Sequence, residues 1–148
     1  MNKLIGTLAL ALLAGFAVNA TAQDENLPNV NSALSVQKSV NGLFSVAVEP
    51  GLKPMRLNKL HYWNLRLSDA DNKLVSGAKI RVDGGMPGHG HGLPTSPRVL
   101  AGDKPGEYIL KGLRFNMGGV WQLKLDIDDG ERKDLLEFRF VVTDSTGN

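Results

Sequence analysis

The chain has 148 residues, with 17 lysine or arginine residues, 15 aspartate or glutamate residues and a formal net charge of +2. So small an excess of positive charge, without any lysine or arginine run longer than a pair, argues against a nucleic-acid partner. The sequence contains no cysteine, which excludes disulfide bonds, thiolate metal ligands and a cysteine nucleophile.

Residues 1–22 are typical of a cleaved secretory signal peptide. Lys3 precedes an uncharged apolar run from Leu4 to Val18, and the small residues Ala20-Thr21-Ala22 form a signal peptidase site. The apolar run is shorter than the roughly 20 residues that a membrane-spanning helix needs, so we expect no membrane span after cleavage. The sequence therefore predicts a periplasmic protein.

The remaining residues indicate one domain. Residues 23–31 are polar and contain Pro28, and we expect them to form a flexible lead-in. Residues 32–148 then have a length close to the commonest domain size.

From residue 34 onward, apolar and polar residues alternate with the period of two that half-buried strands show. The alternating segments are 34–36, 44–48, 61–67, 78–82, 108–110, 121–127 and 136–142. Pro94 and Pro97 flank a further extended or edge segment around Val99. About seven short strands without an amphipathic helix predict an all-β fold, an antiparallel immunoglobulin-like β-sandwich.

Several side chains have a structural interpretation within this sandwich. Trp63, Tyr108 and Trp121 occupy inward positions, so we expect core packing rather than a small-molecule pocket. The acidic run 126–131 lacks the last glutamate and the flanking helices of a calcium loop, and Asp129-Gly130 instead predicts a hairpin turn. Serine and threonine near His91 lack the strand-to-helix elbow of a nucleophile, so we expect no catalytic residues and no enzyme activity.

The segment Met86-Pro87-Gly88-His89-Gly90-His91-Gly92, which we call the His loop, carries the best candidate site. If the segment is extended, His89 and His91 point to the same side and can bind one ion. Met86 is close in sequence, Met117 would come from a neighbouring loop, and His61 from an adjacent strand. Imidazole and thioether ligands suit a soft or borderline transition metal, so a copper ion is the predicted cofactor. The alternative is a solvated glycine-rich loop whose methionines fill gaps.

Residues Ile80 to Ile127 resemble the FixH-like and YtkA-like families of bacterial exported proteins. The resemblance is carried by Met86-Pro87-Gly88-His89-Gly90-His91, Gly106-Glu107-Tyr108 and Phe115-Asn116-Met117-Gly118-Gly119-Val120-Trp121, with Trp63 to Gly77 similar to an opening strand and turn. It implies an immunoglobulin-like sandwich outside the cytoplasm, in a family linked to copper handling and to the assembly of copper-containing oxidases. The matching motif residues are Met86, His89, His91 and Met117. This sequence differs from the membrane-anchored members of the family, because its N-terminal apolar segment ends in a predicted signal peptidase site.

Two functions of different classes follow. The first is a periplasmic metal-binding protein, a copper carrier or an accessory to metalloenzyme assembly, with another periplasmic or membrane protein as partner. The second is a non-catalytic structural or interaction module that binds no metal. The distance of Met117 from the two histidines of the His loop discriminates between them.

Overall fold

The structure is a computed structural model that describes residues 27–30, 34 and 36–143. The predicted signal peptide, residues 1–22, lies outside these residues. The described residues form nine strands and one turn of 3-10 helix, Pro87–His89. The strands are β1 (Gln37–Lys38), β2 (Phe44–Pro50), β3 (Leu60–Asp69), β4 (Lys79–Met86), β5 (His91–Gly92), β6 (Arg98–Ala101), β7 (Glu107–Arg114), β8 (Gly119–Asp128) and β9 (Lys133–Val142).

The strands form two antiparallel sheets. One sheet has the order β1-β2-β3-β7-β6, and the other has the order β5-β4-β8-β9. Their inner faces pack together, which confirms the predicted all-β immunoglobulin-like sandwich. Two of the nine strands, β1 and β5, have only two residues each and are too short to produce an alternating pattern. Of the other seven, six coincide with segments that alternate in sequence, and β6 lies in the extended or edge segment predicted around Val99.

The core lies between the two sheets and is rich in aromatic residues. Trp63 and Trp121 are fully buried and Tyr108 nearly so, as their inward positions predict. The Trp63 ring lies 5.2 Å from that of Phe140 and 6.4 Å from that of Phe138, which both come from the opposite sheet. The Tyr108 hydroxyl donates a hydrogen bond to the Val75 carbonyl, 2.8 Å away. Core aromatic rings therefore join β3 to β9 across the sandwich.

The first segment of the sandwich differs from the sequence prediction. Leu34 is buried as expected, but Val36 is 60% exposed and the strand begins only at Gln37. The reason is that β1 lies at a sheet edge and pairs with β2 only through Gln37 and Lys38. Val36 precedes this pairing, so the alternation that begins at Leu34 does not place Val36 in the core. Part of the predicted lead-in, residues 27–30, also lies on the sandwich. There the Val30 N–H donates to the Val141 carbonyl and the Val141 N–H to the Pro28 carbonyl, each at 2.9 Å.

Strands β8 and β9 form the hairpin that the sequence predicts. Trp121 pairs with Phe140 and Leu123 with Phe138, so each pair lies on the inner face. The acidic run forms the turn, where the Asp129 carboxylate accepts hydrogen bonds from the N–H groups of Glu131 and Arg132. This carboxylate therefore stabilises the turn between the two strands.

Asp134, at the start of β9, connects the second sheet by hydrogen bonds to the turn before β2. It is buried, and its carboxylate accepts hydrogen bonds from the backbone N–H groups of Asn41 and Leu43. Burial alone would raise the pKa of Asp134, but hydrogen bonds from Ser39, Asn41 and Leu43 together lower it. Because the folded pKa lies below the unfolded one, ionised Asp134 stabilises the fold, and this contribution is lost as the pH falls through the folded pKa.

Replacing Asp134 with asparagine should therefore destabilise the protein in a pH-dependent way. We expect the free energy of unfolding to drop by about 1 to 3 kcal/mol near neutral pH, because hydrogen bonds to a charged acceptor are lost. The difference from the parent should shrink in acid, where the parent's carboxylate is also protonated. Urea unfolding at neutral and acidic pH measures both values, with the exposed Asp103→Asn as the control. A difference that is equal at both pH values would contradict this account.

Candidate metal site

One end of the sandwich collects the three histidines and the three methionines that follow Met1. Strands β3 and β8 begin at this end, while β4 and β7 end there. The short connection 115–118 joins β7 to β8 at the same end. The six residues are Met55, His61, Met86, His89, His91 and Met117. Residues far apart in the sequence are therefore gathered at one end of the fold.

The His loop turns back on itself instead of running extended. β4 ends at Met86, the 3-10 turn follows, and β5 returns so that His91 pairs with Met86. Gly90 makes this reversal possible, because its φ of 67° lies in the left-handed region that favours glycine. The expected extended geometry was therefore wrong. The loop still brings the His89 and His91 rings together, with centroids 6.0 Å apart.

Met86 lies directly opposite His91 in the β4–β5 pair. It is only 2% exposed. One shallow cavity of about 210 Å³ is lined by Met86 and His91, and another of about 230 Å³ by Met86 and His89. A Cβ added at Gly119, the first residue of β8, would lie 3.0 Å from Met86 Cε. Met86 thus borders the space next to each imidazole, and Gly119 leaves room for its methyl group.

Trp121 connects the His loop with the neighbouring 115–118 connection. Its indole N–H donates a hydrogen bond to the Met117 carbonyl, 3.0 Å away. The His91 ring packs against the Trp121 ring at 5.9 Å between centroids, in an edge-on orientation. Trp121 therefore fixes the Met117 backbone close to the His loop. The Met117 side chain is 38% exposed and lines neither of the two cavities.

His61 lies deeper in the sandwich than the other two histidines. It is 3% exposed, and its Nε2 is 2.7 Å from the Arg56 carbonyl oxygen, which accepts a hydrogen bond from it. Its ring centroid lies 6.2 Å from that of Phe115, which in turn is 5.1 Å from that of Trp121. Two aromatic rings thus stand between His61 and His91. The structure brings Met86, His89 and His91 together but does not bring His61 to them.

Sequence reasoning did not identify Trp121 and Gly119 as parts of this site. The sequence predicts a core position for Trp121, which the structure confirms, but the Trp121 ring also packs against that of His91. Gly119 has a φ of 123° and starts a strand next to Met86. Neither contact has a sequence signal, because both depend on how β8 pairs with β4.

The side chains of the His loop that can bind a metal are imidazole and thioether groups. Within residues 27–30, 34 and 36–143, no three His, Cys, Asp or Glu side chains lie close enough together to hold a metal ion. His89 and His91 are a pair, and the sulfur of Met86 is the third donor that the His loop offers. Such a set suits a soft ion better than a hard one.

The model of one protein family, described as YtkA-like, matches residues 35–126. The chain belongs to the YtkA-like family. The match includes the His loop and the 115–118 connection, so Met86, His89, His91 and Met117 all lie inside the YtkA-like region. The resemblance to FixH-like proteins stays a prediction.

A solved structure shows a similar fold. The crystal structure of a DUF4426 family protein from Pseudomonas aeruginosa PAO1 superposes with a TM-score of 0.51 and 13% identity, covering 73% of this chain and 96% of the other. The ZirS C-terminal domain, at 12% identity and a TM-score of 0.43, covers 97% of this chain and 87% of its own. Neither the family description nor the name of the DUF4426 family protein refers to a catalytic activity. No curated protein sequence matches the chain.

The described part of the chain contains no helix that is both long enough and apolar enough to cross a membrane.

Proposed function

We propose that this YtkA-like protein binds one copper ion at the His loop and acts in the periplasm as a copper carrier or as an accessory to metalloenzyme assembly. His89 and His91 are the primary ligands, and Met86 supplies a thioether sulfur. The proposal is carried by one observation: the centroids of the two imidazole rings lie 6.0 Å apart, and Met86 lines the cavity next to each ring.

The spacing of the two rings suits a shared ion. An imidazole nitrogen binds a transition metal at about 2.0 to 2.1 Å, so the ring centroid lies about 3.2 Å from the ion. Two imidazoles on one ion therefore have centroids at most about 6.4 Å apart. The separation of His89 and His91, 6.0 Å, falls within this limit.

The backbone supports His91 as a ligand. Its Nδ1 lies 3.1 Å from the carbonyl oxygen of Gly92. When Nδ1–H donates to that carbonyl, Nε2 keeps the lone pair that a metal requires. A hydrogen bond from the ring to a backbone carbonyl is the usual way in which a protein orients a histidine ligand.

Copper fits this ligand set better than zinc. Structural zinc sites use four ligands and catalytic zinc sites three, drawn from cysteine, histidine and carboxylates. The His loop offers two histidines, and its further donor is a thioether, which prefers Cu(I). The two imidazoles alone would also serve Cu(II). His89 is exposed, so a bound ion would be accessible to a receiving protein. We place no catalytic step at this site.

The proposal is tested by titrating the purified chain, starting at residue 23, with Cu(I), Cu(II) and Zn(II) against competing chelators. We expect one Cu(I) per chain, bound more tightly than Zn(II). Because Trp121 contacts His91, we also expect its fluorescence to be quenched as copper binds. Affinity should fall in acid, since imidazole binds metal only in its neutral form. Failure to bind either copper ion would favour the structural or interaction module without a metal, whereas binding zinc more tightly than copper would contradict the choice of copper.

A further inference from the structure

The outer faces of the two sheets differ in how their charges are arranged. On the β4-β8-β9 face, neighbouring strands are joined by three ion pairs. They are Arg81–Asp126, Lys124–Glu137 and Lys133–Asp128. On the β2-β3-β7-β6 face, the described residues form one ion pair, Arg66–Glu107. Opposite charges are therefore paired across neighbouring strands on the β4-β8-β9 face more often than on the β2-β3-β7-β6 face.

The second face exposes large apolar side chains on three adjacent strands. Leu60 is 65% exposed, Tyr62 41% and Leu100 49%. Half-buried Ile109 lies directly opposite Leu100 in the β6–β7 pair. Gly51 lies under the Tyr62 ring, which leaves no room for a Cβ at that position. The Tyr62 ring thus packs on the backbone of Gly51 with its other side exposed to solvent.

Two cations stand beside these apolar residues. Arg98 on β6 lies directly opposite Lys111 on β7, and Lys111 lies directly opposite Tyr62 on β3. Like charges that face each other across two strands destabilise a sheet. Neither cation forms an ion pair with a described residue. The mutual repulsion of Arg98 and Lys111 would be relieved by a negative charge from outside the domain.

We propose that this surface is a docking site for an acidic segment of a partner protein. We call it the basic-apolar face. It comprises Leu60, Tyr62, Arg98, Leu100, Ile109 and Lys111. Carboxylates of the partner would lie between Arg98 and Lys111, and its apolar side chains would cover Tyr62 and Leu100. Tyrosine and arginine are the residues that most often dominate the energy of protein interfaces.

Charge also argues for an acidic partner rather than a second copy of this chain. A twofold dimer through this face would place the same patch against itself, so Arg98 and Lys111 of one copy would approach those of the other. An acidic segment instead supplies the opposite charge and accelerates the encounter. The proposal does not depend on copper, because none of these residues lies in the His loop.

The test uses the full mature chain, labelled with ¹⁵N, and a random copolymer of glutamate and tyrosine as the probe. We expect NMR shift changes at residues 60–62, 98–100 and 109–111, and weaker binding at high salt. Arg98→Glu with Lys111→Glu should weaken binding by at least about tenfold, since two attractive charges become repulsive. Lys79→Glu with Arg81→Glu, the same charge change on the other sheet, should alter it less than about twofold. Leu100→Gln, which keeps both cations, should weaken binding by about threefold or more.

Several results would overturn the proposal. One is shift changes confined to the His loop or to the outer face of β4-β8-β9. Another is equal binding of a lysine–tyrosine copolymer, which would show that charge does not matter. Binding of phosphatidylglycerol vesicles through the same residues, without binding of the acidic copolymer, would identify a membrane surface. Self-association that Leu100→Gln abolishes would identify a second copy of the chain. None of these results bears on copper binding, which is measured separately.

Discussion

Replacing both His89 and His91 with alanine should abolish Cu(II) binding and weaken Cu(I) binding by at least about a hundredfold, because two of the proposed ligands are removed. The two imidazoles are the only nitrogen donors of the His loop side chains, and they lie 6.0 Å apart. Neither side chain is buried, since His89 is exposed and His91, whose ring packs against Trp121 at the edge of the core, is partly exposed. The fold should therefore persist, and copper titration of the folded variant measures the loss directly.

The methionines should affect the two oxidation states differently. Leucine has nearly the volume of methionine, so Met86→Leu removes the sulfur while it keeps the packing beneath the loop. Together with Met117→Leu it should weaken Cu(I) by about tenfold or more and Cu(II) much less, since a thioether prefers the softer ion. Most of this loss should appear in the Met86→Leu single variant, because Met86 borders both cavities and Met117 borders neither.

The control for these variants lies at the opposite end of the sandwich. Asp71→Ala with Lys73→Ala also changes two exposed loop side chains, and it should leave copper affinity unchanged. Binding of either copper ion by the double-histidine variant as tightly as by the parent would mean that the loop is structural. The interaction module would then replace the copper proposal.

The candidate site was only partly readable from the sequence. The His loop stood out because two histidines and a methionine lie within a few residues. The sequence did not reveal the reversal at Gly90, because it depends on a backbone angle that a glycine can adopt but need not. It also placed His61 among the candidate ligands. Alternation correctly assigned His61 to the inner face of β3. There its ring packs against Phe115, which in turn packs against Trp121, so His61 is separated from the His loop.

The fold could be predicted from the sequence more completely than the site, because long strands have a clear alternation of apolar and polar residues. Residues 121–127 of β8 and 136–140 of β9 alternate without interruption, and the pairing of the two strands follows from the tight turn between them. Strands β1 and β5 carry no such signal, since two residues define no period. Their positions are set by pairing with a neighbouring strand through two residues each, such as Gln37 with Val46 and His91 with Met86.

Truncating Phe138 to alanine should lower the free energy of unfolding by about 3 to 5 kcal/mol, the range measured when a large aromatic side chain is removed from a core. Phe138 is 6% exposed on β9, and its ring contacts Trp63 from the opposite sheet and Phe140 from its own strand. The variant leaves a space between two large rings that cannot close, because both sheets hold their strands in register. Urea unfolding of parent and variant gives the difference in the free energy of unfolding, provided that the free energy of both depends on urea concentration with the same slope.

Glu137→Ala is the matched control for Phe138→Ala. Glu137 is the adjacent residue on β9 and points to the outer face, where it pairs with Lys124 at 3.4 Å with both side chains exposed. Because an exposed ion pair contributes little, this variant should change the free energy of unfolding by no more than about 1 kcal/mol. The contrast between two neighbours tests the register of β9, since a shift by one residue would exchange their faces. A loss below about 1 kcal/mol for Phe138→Ala would show that this side chain does not join the two sheets.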